Sequence, residues 1–222
     1  MTSIRDLFNC YADAVLAAGA RAQCGLDKGP RGLAAAPFDA QLAAFKAQLA
    51  LAQELRRPVS VHCVRAYAAV EEALRGAGMD DPVVLHAWTG SVESTRSLLR
   101  LPSVHFSLGG HLAKLPPQKA VPMVQAIPLE RLLLESDSPD GALRLSPAWL
   151  DALPSLHELE PRLVQFQERG NAPAAVACVL ALVAAVRGEG EAAVAAAASA
   201  NAERVFGNVA GRRRLQSGAG VG

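Results

Sequence analysis

Hydrophobic and polar positions follow two alternating periods along this chain. Phe38, Leu42, Phe45, Leu49, Ala52 and Leu55 recur at three- and four-residue intervals, which predicts an amphipathic helix over 38–55. The run Pro58-Val59-Ser60-Val61 is too short for a helix and predicts a strand ending at His62. A helix through Tyr67, Val70 and Leu74 stops at Gly76 and Gly78, and Pro82-Val83-Val84-Leu85 forms the next strand, ending at His86. Ser91, with Glu93 in the first turn, opens a helix to about Arg100. Val104-His105-Phe106-Ser107 reads as a strand closed by Gly109-Gly110, and a polar helical segment follows Pro117 before the apolar run at 131–136. Residues 3–19 read as a helix, the stretch 141–170 as a loop or insertion because of its prolines, and 172–187 and 190–206 as two Ala-rich helices.

Five short strands, near 20–24, 58–62, 82–86, 103–107 and 131–136, thus alternate with helices. That alternation predicts an α/β fold with a parallel sheet, whose strand ends converge on one face. Gln23 with Asp27, then His62, His86, Ser107 and Asp137 stand at those ends. The last of them lies in RLLLESDSPD, residues 131–140, where an apolar strand runs straight into Glu135, Asp137 and Asp140. Clustered carboxylates repel one another unless a cation faces them. Two histidines and an aspartate from three strand ends form a plausible N/O ligand set for a divalent metal, with structural histidines as the alternative. Trp88 reads equally as core or as a substrate platform, and His105 and His157 as structural or surface residues. His111, after Gly109-Gly110 in a strand-end loop, has only slight positional support as a site residue.

Composition narrows the classes. Of 222 residues, 51% are hydrophobic and 19% charged, as in a folded domain rather than a disordered chain. Lys and Arg number 22 against 21 Asp and Glu, so nucleic acid would have to be met by a local basic patch. Cys10, Cys24, Cys63 and Cys178 are scattered, which suits a reducing compartment. The apolar stretch 172–186 contains Pro173 and is shorter than a spanning helix, so no membrane partner is expected. The expected compartment is the cytoplasm, with the nucleus or an organelle as alternatives, and 208–222 reads as a flexible Gly- and Arg-rich tail.

Six strings carry a resemblance: GLDKG (25–29), PVSVHCVRA (58–66), VVLHAWTGS (83–91), FSLGG (106–110), LLLESDSPD (132–140) and NAERVF (201–206). Together, and in this order, they resemble the TatD family of metal-dependent hydrolases, with 58–66 and 131–140 most similar to plant or algal members. The resemblance covers about residues 1–207 as one domain. It implies a TIM-barrel-like metallohydrolase cleaving phosphodiesters, a deoxyribonuclease of 3′-to-5′ exonuclease character acting on DNA, single-stranded or at 3′ ends. Mg²⁺ is the implied ion, with Mn²⁺ or Zn²⁺ as alternatives. Carried over residue by residue, His62 and His86 match metal-ligand histidines and Asp137 the metal-ligand and catalytic aspartate. Glu135 would orient a ligand from behind. Arg65 would contact phosphate, with a surface arginine at a helix start as its other reading.

Two departures stand beside the resemblance. The family's first-strand H-x-H is absent, and its Gly-Glu-x-Gly-Leu-Asp is here Ala22-Gln23-Cys24-Gly25-Leu26-Asp27. Gln23 at the family's Glu ligand position offers only a neutral carbonyl oxygen to a hard cation. About five of eight β/α units are therefore expected, either from N-terminal truncation or as an open sheet that self-associates to cover its edges. Two other functions remain as expectations: a catalytically inactive TatD-like binding protein, motivated by Gln23, and an amidohydrolase-like enzyme acting on a small cyclic amide.

Overall fold

A computed structural model describes residues 22–207. Its sheet has five parallel strands, β1 (Ala22–Asp27), β2 (Val59–Val64), β3 (Val83–His86), β4 (Val104–Leu108) and β5 (Leu132–Leu134), in the order β1-β2-β3-β4-β5. Each strand pairs with the next one in sequence, so the sheet lacks the reversal of order that marks a doubly wound fold. A run of same-handed crossovers keeps the connecting helices on one side, as in the wall of a β/α barrel. The architecture is five strands of a TIM-barrel-like α/β fold. The predicted helix at 3–19 and the tail at 208–222 lie outside the described residues.

The helices are α1 (Pro30–Ala35), α2 (Phe38–Glu54), α3 (Tyr67–Ala77), α4 (Val92–Leu98), α5 (Pro117–Ala126), α6 (Pro147–Ala152), α7 (Glu160–Arg169), α8 (Val176–Arg187) and α9 (Glu191–Phe206). Their ends follow local chemistry. Gly78 takes a left-handed φ of 58° past α3 and its N–H bonds back to Leu74, while the Ser91 hydroxyl accepts the Ser94 N–H ahead of α4. Arg187 donates to the carbonyls of Val124 and Ile127, which satisfies acceptors at the end of α5. Among the described residues no single helix is long and apolar enough to cross a membrane; α8 with its preceding turn and α9 pass only as a pair bent by 114°.

The stretch 141–170 corrects the sequence expectation, because it is largely helical rather than a loop. Pro147, Pro154 and Pro161 each stand in the first turn of a helical segment, where a missing N–H leaves no intrahelical bond unmade. Prolines that read as breakers are starters here. Trp149 of α6 is fully buried and its indole N–H faces the carbonyls of Ala113 and Leu115, fastening this lobe to the segment after β4.

The two faces of the sheet differ. Leu26, Val61, Leu85, Phe106 and Leu132 lie in the main core under the helices. Trp88 belongs to that core: it is 1% exposed, bonds Thr95 through its indole N–H, and meets Tyr67 and Phe106 edge-on. It is therefore no substrate platform. On the opposite face Val84 and Leu133 meet Val205 of α9 in a small cluster, and buried Asn201 ties α9 to the carbonyls of Leu129 and Leu132. Side chains alternate along a strand, so the residues two beyond Val84 and Leu133, His86 and Glu135, share this second face. The sheet thus presents an apolar floor with polar groups at its C-terminal rim.

His105 sits on this face, 7% exposed, with Nδ1 at 3.0 Å from the Ser103 carbonyl. Burial, with Arg131 and Arg204 assisting, holds its imidazole below the ordinary histidine range. The unfolded ring protonates near pH ~6.5 while the folded ring resists, so the unfolded state binds more protons just below that pH. Stability therefore falls as pH drops through about 6.5. Thermal melts from about pH 7.5 to about pH 5.5 should show a smaller loss of Tm for His105→Gln than for the parent chain; equal losses would clear His105 of this role.

Candidate active site

The site forms at the C-terminal ends of all five strands. Gly25 of β1 lies in register with His62 of β2, and a Cβ on Gly25 would sit 2.0 Å from the His62 carbonyl oxygen. Only glycine allows that approach. His62 in turn lies in register with His86 of β3, with ring centroids 6.3 Å apart. At the end of β1, Asp27 places Oδ2 at 3.9 Å from His62 Nε2 while its Oδ1 accepts the Gly29 N–H at 2.6 Å. Gln41 of α2 braces this corner, accepting from the Asp27 N–H and donating to the Asp27 carbonyl.

Glu135 is the hub. Its Oε1 accepts the Ala87 N–H at 2.8 Å and stands 2.9 Å from His86 Nδ1, and its Oε2 accepts the Ser107 hydroxyl at 2.5 Å. One carboxylate thereby joins the ends of β3, β4 and β5. The hydrogen bond that His86 donates to Glu135 raises the His86 pKa above its ordinary value, burial opposes this, and the Glu135 and Asp137 charges add to the rise. Occupation of Nδ1 by Glu135 directs Nε2 to the other side of the ring, where it lies 3.3 Å from Asp137 Oδ1.

Arg65, Ala87 and Asp137 carry left-handed φ values of 54°, 45° and 52°, each just beyond a strand end. Non-glycine residues pay steric cost in this region and persist there only when surroundings hold them. Ala87 is held by Glu135. The turn carrying Asp137 is held by Asn171, which donates to the carbonyls of Ser136 and Asp140 and accepts the Ser138 hydroxyl at its own carbonyl.

Of the residues singled out from sequence, His62, His86, Glu135 and Asp137 gather at this rim. Arg65 is exposed at the end of β2, three residues past His62. Gln23 lies in β1 opposite Ser60, and its side chain is outside the described set. His157 is remote and exposed, paired with Glu160. His111 is the residue that sequence reasoning undervalued: its Nδ1 is 3.4 Å from Asp137 Oδ2. The signal was present, because it follows the Gly109-Gly110 that closes β4.

The donor chemistry suits a divalent cation in part. His86 Nε2 and Asp137 Oδ1 are separated by about the edge of a coordination sphere whose bonds are about 2.1 Å. Among the described residues, however, no three His, Cys, Asp or Glu side chains form one group able to hold a metal ion. The described residues supply a paired half-site with His62 alongside.

A parallel sheet whose strands pair in sequence order, with histidine and carboxylate side chains at its C-terminal rim, is the architecture of a β/α-barrel wall. A family profile described as "TatD related DNase" matches residues 7–207, and the chain belongs to the TatD family. The chain is 35% identical over 168 residues to the 3′-5′ ssDNA/RNA exonuclease TatD of Klebsiella pneumoniae (strain 342), covering 75% of this chain and 58% of that one. It is 32% identical over 191 residues to the protein of the same name from Rahnella sp. (strain Y9602), covering 86% and 65%. Its fold resembles that of YJJV, a TatD homolog from Escherichia coli K12, with a TM-score of 0.67 at 24% identity over 84% of this chain and 63% of that one. The chain spans roughly three fifths of the length of these curated relatives.

Removing the hub has a measurable cost. Glu135→Ala strips the partners from Ala87, Ser107 and His86, and charge-assisted bonds of this kind contribute about 1.5–3 kcal/mol each. Non-additivity within one carboxylate brings the expected total to about 3 kcal/mol in chemical denaturation. A loss under about 0.5 kcal/mol, typical of a surface substitution, would refute the hub role.

Proposed function

We propose that this chain is a metal-dependent phosphodiester hydrolase of TatD type, a deoxyribonuclease of 3′-to-5′ character on single-stranded DNA. The observation that carries the reading is the chain Glu135–His86–Asp137, in which a carboxylate fixes one ring nitrogen and leaves the other beside a second carboxylate. Ligating histidines are commonly braced in this way through their far nitrogen. His62, His86 and Asp137 would hold the ion, Mg²⁺ first and Mn²⁺ or Zn²⁺ as alternatives, with the neutral carbonyl of Gln23 as a fourth and weaker donor. The ion, when bound, supplies Lewis acidity at a phosphate oxygen and lowers the pKa of a coordinated water.

The chain's own residues do the rest. Asp137 accepts the proton of the attacking water at its carboxylate and orients that water in line with the phosphorus. Glu135 keeps His86 Nε2 facing Asp137 through its contact at Nδ1. Arg65, exposed at the rim, offers two N–H groups to the phosphate oxygens of the strand being shortened. The names of the Klebsiella and Rahnella relatives support a single-stranded substrate.

A second reading has its own observation. Gln23 replaces a charged donor, and the described residues hold no three-residue metal group, which favours a protein that binds single strands without cutting them. A 5′-labelled single-stranded oligonucleotide with Mg²⁺, Mn²⁺ or Zn²⁺ separates the two. The expected result is shortening from the 3′ end that is abolished by chelator and reduced at least about 100-fold by Asp137→Asn, in line with loss of a general base. Binding of the oligonucleotide without shortening under all three ions would favour the second reading. Hydrolysis of a cyclic amide with no effect on DNA would place the activity among amidohydrolases instead.

A further inference from the structure

His111 lies next to the proposed machinery without a part in it. It stands in the 3₁₀ turn Gly110–Lys114 directly after β4, and its Nδ1 is buried, lacks a hydrogen bond, and is 3.4 Å from Asp137 Oδ2. A buried ring nitrogen without a partner is costly and calls for a role. A bare lone pair at Nδ1 would repel the facing carboxylate oxygen, whereas an N–H there would be attracted to it.

We propose that His111 is a positioning residue for Asp137: its Nδ1–H faces Oδ2 and fixes the rotation of the carboxylate that leaves Oδ1 beside His86 Nε2. The inference rests on the reading of Asp137 as ligand and base, and it deepens that reading. Asp137 is then gripped from two sides, with Oδ1 at 3.3 Å from His86 and Oδ2 at 3.4 Å from His111. A carboxylate on a left-handed turn residue needs such a grip, because the strained backbone alone does not set its side-chain angle.

The backbone around His111 is built to keep it there. A Cβ on Gly110 would lie 2.1 Å from the Gly141 carbonyl oxygen, so the turn packs directly on the loop that follows Asp137. Leu112 is buried beside it, and Trp149 holds the far end of the turn at Ala113 and Leu115. The helical lobe at 141–170 thereby serves the site: it presses His111 against Asp137.

Two measurements on the 222-residue chain test this. In metal-free protein labelled with ¹⁵N-histidine, the His111 ring signal, assigned by its loss in His111→Phe, should report the Nδ1–H tautomer and shift on Asp137→Ala. An Nε2–H tautomer, or no response to Asp137→Ala, overturns the proposal. In a Mn²⁺ titration followed by electron paramagnetic resonance, His111→Phe should weaken binding about tenfold, the lower end for loss of a residue that orients a ligand. His111→Asn, which returns an N–H at the place of Nδ1, should recover affinity to within about threefold of the parent. Unchanged affinity in His111→Phe also overturns it. A parent chain that binds no Mn²⁺ would defeat the metal-dependent reading, and the metal-free spectrum would still decide the role of His111.

Discussion

The Glu135 carboxylate gathers three strand ends with two oxygens. The Ala87 N–H and the His86 ring share Oε1, and the Ser107 hydroxyl takes Oε2. A carboxylate at the end of an apolar strand is expensive to desolvate, and these donors are what make its position tenable. In return it sets the geometry of the rim. Ala87 is kept in a left-handed conformation, and His86 is turned so that Nε2 faces Asp137. The rim is therefore a braced set of side chains rather than a loose ring of strand-end residues.

Much of this was legible in the sequence because β/α alternation is written in two periods. The five strands fall within two or three residues of where short apolar runs bounded by proline and glycine put them. Helix 38–55 likewise follows its apolar spacing, and 172–187 and 190–206 their alanine-rich composition. The gathering of His62, His86 and Asp137 at one rim was legible for a related reason. His62 within β2, His86 at the end of β3 and Asp137 three residues past β5 all lie toward the C-terminal ends of parallel strands, which bring them to one face.

What stayed hidden depended on contacts between distant segments. The prolines at 147, 154 and 161 read as loop formers, but a helix tolerates proline in its first turn, and only the packing of Trp149 against the carbonyls of Ala113 and Leu115 fixes that lobe. Trp88 was ambiguous because its burial depends on Tyr67, Phe106 and Thr95 converging from three elements. His111 was undervalued because nothing local announces that the loop after β5 folds back onto the turn after β4. The close approach of Gly110 to Gly141 is a fact of the third dimension.

The proposed metal-dependent function requires that Glu135 brace His86 so that its Nε2, together with Asp137, faces a cation. Anomalous diffraction from crystals of this chain grown with Mn²⁺ tests it most directly. The expected peak lies about 2.2 Å from both His86 Nε2 and an Asp137 oxygen, with His86 Nδ1 still on Glu135. A peak bound to Glu135, or a His86 ring turned to present Nδ1 to the ion, would contradict it.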